Sequence, residues 1–199
     1  MEPEFNEAFL KTKIDPLSLN HRILFALSCC ERLLPNYLMF YKHHSWGEPK
    51  VLRYALDRVW SVLNGDEIVE EIENLIQKCD EVTPDTEDFD SIFVSPALDA
   101  ASSVMLILEF VKNHSVEKVL EIASLSRDTV DMYIQELENM DSNDPNLEEK
   151  ILGHHFMQRE LVRQREDLEL LRKADVINED VIIDLKKLWR GTEKSNIDL

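Results

Sequence analysis

Apolar residues recur along most of the chain at intervals of three and four, the spacing that puts them on one face of an α-helix. The clearest set is Leu52, Leu56, Val59 and Leu63. Gly65 follows it and suits the end of an amphipathic helix. Prolines and small polar residues separate such segments from one another. The pattern predicts an all-α bundle of about seven to nine helices.

One predicted helix differs from the others because it is apolar on nearly all sides. It covers about residues 96–112, and the pair Ser95 and Pro96 predicts its start. A helix that is apolar all round is typical of the centre of a bundle. The remaining helices should therefore pack around this one.

Prolines predict two more helix starts, and the chain end predicts a tail. Pro35 suits the first turn of a short helix, and Asp144-Pro145 opens a long helix that reaches about Ala174. Residues 192–199 are predicted to form an irregular tail. No linker divides the chain, so residues 1–199 are predicted to be a single domain.

Composition supports the same fold class. The chain has 199 residues, of which 44% are hydrophobic and 31% are charged, and this balance is typical of folded chains. It has only four glycines, whereas an all-β protein of this length needs more of them in its turns.

Negative charge dominates the chain and is concentrated in one segment. The net charge is −18, which argues against binding to nucleic acid or to anionic membranes. Residues 66–90 hold eleven acidic residues and one lysine. This segment is either a solvated surface or a contact for a basic protein. The candidate contact residues are Glu70, Glu71, Glu73, Asp85, Glu87, Asp88 and Asp90.

Several features predict a cytoplasmic location. The chain has three cysteines, and Cys29 and Cys30 are adjacent. An odd number with an adjacent pair is a poor disulfide framework and is more typical of reduced thiols in the cytosol. The acidic start from Met1 to Phe5 is unlike a signal peptide. The longest unbroken apolar runs have five residues, whereas a membrane span needs about 20.

The sequence contains none of the common motifs for a cofactor or a metal. It has no glycine-rich nucleotide loop, no H-E-x-x-H, no C-x-x-C and no Glu-x-x-His pair. The stretch Asp85 to Asp90 lacks the central glycine and the spacing of a calcium loop. No cofactor, metal site or catalytic residue is therefore predicted.

Three carboxylates stand inside or beside apolar helix patterns: Glu31, Asp57 and Asp99. A carboxylate on a core-facing helix needs a partner, because an unpaired buried charge is costly. One interpretation is an internal ion-pair network that fixes the register of the helices. The other is a catalytic acid–base pair.

Spaced motifs resemble the bacterial YjaG family, a domain of unknown function. They are Cys30-Glu31-Arg32, Pro35-Asn36-Tyr37, Phe40, Leu56-Asp57, Trp60, Leu63, Asp88-Phe89-Asp90, Pro96-Ala97, Asp99-Ala100 and Ser195-Asn196-Ile197. The resemblance runs from about Phe9 to Ile197 and implies an all-helical fold without an assigned catalytic residue. Family members often carry a tryptophan near Asn20 and a glycine near Asp198.

The family motifs contain a set of polar and aromatic residues that we take as a second candidate site. They are Glu31, Arg32, Asn36, Tyr37, Asp57, Trp60 and Asp99. The set could be structural or functional, and the sequence leaves both alternatives open.

Three functions are compatible with the sequence. The first is a non-enzymatic, cytosolic helical domain that binds another protein or itself, for example as a homodimer. The second is an immunity-like or antitoxin-like acidic protein that binds a basic partner through residues 66–90. The third is an enzyme that uses Glu31, Asp57 and Asp99.

Overall fold

The computed structural model describes residues 7–191 and 194–199, and within these ranges the protein is an all-α bundle. This confirms the predicted fold class. The helices are α1 (Glu7–Ile14), α2 (Leu19–His44), α3 (Pro49–Val62), α4 (Ile72–Asp80), α5 (Val94–Asn113), α6 (Val116–Leu137), α7 (Leu147–Gly153), α8 (His155–Lys173) and α9 (Glu179–Arg190). Two predictions fall partly outside the described residues. One is the prediction of location, which used the acidic start of the chain, and the other is the tail, which includes Thr192 and Glu193.

Two helices form the centre of the bundle. The predicted central helix, α5, packs against α2, α3, α4 and α6. The second, α2, also contacts α8 and α9, and every residue from Ile23 to Leu34 is buried. By length and composition both helices could cross a membrane, but 83% of the apolar window in α2 and 61% of that in α5 is buried within the protein. Burial in the core accounts for their apolar composition.

Pro35 does not begin a new helix, because α2 continues through it to His44. A proline inside a helix removes a backbone hydrogen bond and costs about 3 kcal/mol. The buried side chains of Leu34, Asn36 and Tyr37 pack on either side of it. This tertiary packing holds the helix together across the proline.

The long helix predicted after Pro145 is two helices, α7 and α8. His154 separates them in an extended conformation, with φ −70° and ψ 141°. Its imidazole Nδ1 accepts a hydrogen bond of 3.3 Å from the N–H of Phe156. His154 therefore acts as the N-cap of α8, a role that Ser, Thr, Asp or Asn fills more often.

Helix α5 also begins slightly earlier in the sequence than predicted. The helix begins at Val94, so Ser95 lies in its first turn instead of capping it. Ser91 Oγ accepts a hydrogen bond from the N–H of Phe93 and organises the preceding turn. Helix ends are decided by such local contacts and move easily by a residue or two.

Residues 194–199 form turns without a helix, yet part of this segment is buried in the core. Ser195, Asn196 and Ile197 are at most 1% exposed. Asp198 has φ 64°, a left-handed conformation that suits glycine best. Its carboxylate is held by Arg159 Nη1 at 2.9 Å. The tail is irregular in its backbone and fixed in its position.

Candidate functional site

Glu31 of α2 is buried where this helix meets α3 and α9, and it is the best-paired carboxylate of the predicted site. Arg53 of α3 donates to both of its oxygens, at 3.0 and 2.6 Å. Trp60 Nε1 and Arg190 Nε donate to Oε1 at 2.8 and 3.0 Å. Burial alone would raise the pKa of Glu31, but Arg53, Arg190 and Trp60 hold it below its ordinary value. Glu31 therefore stays ionised and is unsuited to act as a general acid.

Asp57 of α3 is brought close to Glu31 by a shared partner. Arg190 of α9 donates through Nη2 to Asp57 Oδ1 while its Nε contacts Glu31. The guanidinium thus joins three helices, α2, α3 and α9. This arrangement agrees with the interpretation of an internal ion-pair network for these two carboxylates.

Asp99 does not belong to this network. It lies on α5 and accepts a hydrogen bond of 2.7 Å from Thr129 Oγ1 of α6. Burial raises its pKa to about 6, and the nearby Asp128 adds to the shift. No cation among the described residues pairs with it, so the predicted ion pair is wrong for Asp99. The three carboxylates do not form one site.

Replacing Asp99 with asparagine is expected to stabilise the protein at pH 8. The folded-state pKa of about 6 lies above the ordinary value of 3.8, so ionisation of Asp99 disfavours the folded state above pH 6. The variant avoids this penalty, which is about 3 kcal/mol at most. Its advantage should shrink as the pH falls from 7 to 4, because the wild-type carboxyl then takes up its proton. Urea unfolding at several pH values measures the difference.

The exposed Asp175 provides the control for this experiment, because it lies in the turn between α8 and α9. Asp175→Asn should give the same unfolding midpoint as the wild type at each pH. If Asp99→Asn is instead less stable at pH 8 by more than the control, Asp99 has a cationic partner and our interpretation fails.

A second buried polar network surrounds Arg32, and sequence analysis missed most of it. Arg32 donates to Asp167 Oδ2 at 2.5 Å and to Glu160 Oε1 at 3.2 Å. Gln164 Nε2 donates to the same Glu160 oxygen at 2.9 Å, and Trp189 Nε1 donates to Asp167 Oδ1 at 2.9 Å. The sequence signal was the spacing of Glu160, Gln164 and Asp167, which puts them on one face of α8.

Two other residues of the family motifs fix loops and the chain end. Asn36 Nδ2 donates to Asn196 Oδ1 at 3.1 Å, and Asn196 Nδ2 donates to the carbonyl of Ser126 at 2.8 Å. Tyr37 Oη donates to the carbonyl of Val82 at 2.5 Å, and burial raises the pKa of Tyr37 to about 12. Every residue of the motif set thus has a partner that holds two parts of the chain together.

The candidate acidic contacts lie on and around α4 and in the loop that follows it. Glu71 pairs with Arg58 at 3.0 Å, and Glu73 pairs with Lys112 of α5. The other five, in the described part of the chain, form no ion pair. None of the seven lines the groove between α4, α5 and α6, the cleft between α8 and α9 or the cavity beside Glu31. They form a negatively charged surface.

The three cysteine thiols are buried and form no disulfide within the described ranges. Burial raises the pKa of Cys29 and of Cys79 to about 12 and also raises that of Cys30. Thiolates are therefore rare at neutral pH, and these residues are unsuited to nucleophilic chemistry.

Several clefts lie on the described part of the molecule, and two of them have a lining that suggests a ligand. A groove of about 520 Å³ lies between α4, α5 and α6, and we call it the α5–α6 groove. A cleft of about 420 Å³ lies between α8 and α9, with Arg32 at its base, and we call it the α8–α9 cleft. Trp189 separates the latter from a smaller cavity of about 340 Å³ beside Glu31.

Comparison with known proteins agrees with the geometry of this helical bundle. The family model described as "Protein of unknown function (DUF416)" matches residues 10–199. An uncharacterized protein of Haemophilus influenzae is 28% identical, and the uncharacterized protein YjaG of Escherichia coli is 26% identical, each match covering 94% of both chains. The crystal structure of a DUF416 family protein from Shewanella baltica has a TM-score of 0.87 and 29% identity, covering 94% of this chain and 96% of that one. The chain belongs to the DUF416 family.

Proposed function

We propose that this protein is a non-enzymatic binding domain and that its α5–α6 groove receives a basic, amphipathic helix of a partner protein. The observation that carries the proposal is an apolar floor bordered by carboxylates. The residues that line the groove are Ile76, Ser102, Met105, Leu106, Glu109, Glu121, Ser124, Leu125 and Asp128.

The groove follows from the pattern of the two helices that form it. Each helix contributes four residues at positions i, i+3, i+4 and i+7. They run from 102 to 109 on α5 and from 121 to 128 on α6. Such spacing places them on one face over about 10 Å, or two helical turns. A partner helix with apolar residues at matching intervals would fit a groove of this length.

The floor of the groove remains partly exposed. Met105, Leu106 and Ile76 pack against the core without being fully buried by it. Leu125 of α6 is likewise only partly buried. Covering this apolar surface would favour association by about 25 cal/mol for each Å² removed from water.

Charge at the rim selects a basic occupant. Lys118 already pairs with Glu109 and Glu121, at 2.9 and 3.1 Å. Asp128 lies at the other end, where partial burial raises its pKa although Arg127 and Ser124 act to lower it. Burial likewise raises the pKa of the neighbouring Asp99. A lysine or arginine placed there would favour the ionised form of both carboxylates.

The acidic segment 66–90 also favours a basic partner, although it does not line the groove with charged residues. Helix α4 of this segment contributes Ile76 to the groove, whereas none of the segment's carboxylates lines it. The net charge of −18 attracts basic proteins and speeds their association at low salt. In this proposal the segment steers the partner, and the groove binds it.

A leucine–lysine peptide of helical periodicity should bind the protein, as measured by fluorescence anisotropy at near-physiological salt. The same peptide with glutamate in place of lysine should not bind. Leu125→Lys should weaken binding by at least about tenfold, because it places a cation on the floor of the groove. Leu137→Lys is the matched control, since Leu137 is 48% exposed on the same helix beyond the groove.

Two outcomes would contradict the proposal. Equal loss of binding in Leu125→Lys and Leu137→Lys would show that general charge, not the groove, binds the peptide. The second decisive variant replaces the seven acidic contact candidates by Gln or Asn. If it abolishes binding while Leu125→Lys does not, residues 66–90 are the contact, as in the immunity-like hypothesis.

A further inference from the structure

We propose that the α8–α9 cleft is a second binding site, which takes a carboxylate attached to a small apolar body. Arg163 of α8 is the residue that would receive the carboxylate. The argument is independent of the α5–α6 groove, because the two sites share no residue.

Arg163 has no partner within residues 7–191 and 194–199. It forms no hydrogen bond or ion pair there, and its Nη1 is a buried donor without an acceptor. The neighbouring arginines are paired: Arg32 with Glu160 and Asp167, and Arg159 with Asp198. Nη1 is shielded from solvent, but the Arg163 side chain is only partly buried and lines the cleft, so the remaining guanidinium nitrogens are within reach of a ligand there.

The electrostatic surroundings of Arg163 also favour an added anion. Burial and the positive charges of Arg159 and Arg32 lower its pKa, and the carboxylates of Glu160 and Asp198 offset this only in part. Arg32 is less suited to receive the ligand, because both of its terminal nitrogens already donate to Asp167 and Glu160. One free guanidinium, with its planar set of donors, matches the two oxygens of a carboxylate.

The walls of the cleft define the rest of the ligand. Leu170 and Leu188 are 40% and 55% exposed at its edge, and Trp189 forms part of its lining. A volume of about 420 Å³ is within the usual range for small-molecule sites. These surfaces suit an apolar group next to the charged one.

The acidic residues of the rim exclude more highly charged anions. Glu166 and Glu169 line the cleft together with Lys173. A phosphate with two negative charges would be repelled by the glutamates, whereas a singly charged carboxylate would be repelled less. The same carboxylate chemistry occurs in a free small acid and at the C-terminus of a peptide that ends in an apolar residue.

Titration with N-acetyl-leucine and with its neutral amide, followed by calorimetry, tests the site. The acid should bind at millimolar concentrations, and the amide about tenfold to a hundredfold more weakly. Arg163→Gln should remove the preference for the acid, whereas Arg172→Gln, on an exposed residue of α8 outside the cleft, should keep it. Because Arg163→Gln removes an unpaired charge, it should fold at least as well as the wild type.

A peptide ending in leucine, compared with its C-terminal amide, separates the two sources of the carboxylate. If the peptide acid binds much more tightly than N-acetyl-leucine, a protein terminus is the ligand; similar affinities indicate a small molecule. Equal binding of acids and amides, or an unchanged preference in Arg163→Gln, would overturn the proposal. Leu125→Lys should affect neither titration, so failure of the groove proposal is recognised separately.

Discussion

Replacing Arg32 with alanine is expected to lower the free energy of unfolding by about 3–5 kcal/mol, a large part of the stability of an ordinary domain. The Arg32 side chain is 4% exposed, and that of its partner Glu160 is 0% exposed. Without the guanidinium, the carboxylates of Glu160 and Asp167 would remain in a nearly dry environment. Chemical denaturation monitored by circular dichroism measures the loss.

A matched control for this experiment is Arg172→Ala, because Arg172 is an exposed arginine at the end of α8. Its unfolding free energy should change by less than about 0.5 kcal/mol. The triple variant Arg32→Met, Glu160→Gln, Asp167→Asn should recover much of the loss, since no charge is then left unpaired. If Arg32→Ala is as mild as the control, water or other groups solvate the two carboxylates and the network is not structurally important.

The networks around Glu31 and Arg32 show that adjacent charged residues need not share partners. Glu31 and Arg32 look like one charged pair in the chain, but neighbours on a helix point about 100° apart. Glu31 faces α3 and α9, whereas Arg32 faces α8. The sequence identified both residues as candidates. The spacing along α8 puts Glu160 and Asp167 on one face, but it does not show that they pair with Arg32, which is more than 120 positions away.

Helix periodicity predicted the fold class and the apolar character of α5, because burial of one face repeats every turn. The interruptions were less predictable. Pro35 suggested a boundary that packing overrides, whereas the boundary at His154 follows directly after Gly153, a residue that the prediction of one long helix passed over. In both places a tertiary or capping contact decides the local structure, and a proline or glycine alone does not tell whether the helix stops there.

The clefts were beyond sequence analysis for a related reason. Apolar positions such as Met105 and Leu125 fit the pattern of core residues, and only the packing of α4, α5 and α6 leaves them partly uncovered. Arg163 is one of many charged residues on α8 and is distinguished by what it does not contact. A missing partner becomes visible only when the surrounding helices are in place.

Deleting residues 194–199 is expected to destabilise the protein by at least about 4 kcal/mol, although these residues form no helix. Ile197 is 1% exposed, so its loss opens a cavity in the core. Asn196 holds Asn36 and the carbonyl of Ser126, and its N–H donates to the carbonyl of Arg32 at 3.3 Å. The deletion therefore combines a packing defect with several unpaired polar groups.

The point variant Asn196→Ala keeps this prediction testable if the deleted protein does not fold. It should cost about 2 kcal/mol, because Asn36 Nδ2 loses its acceptor in a buried position. Lys194→Ala is the control on the exposed part of the same segment and should leave the unfolding midpoint unchanged. Were the deletion to unfold at the same urea concentration as the full chain, the tail would be a surface attachment. The buried contacts of Asn196 would then contribute nothing to stability, and the segment that resembles the family's closing motif would need a role other than folding.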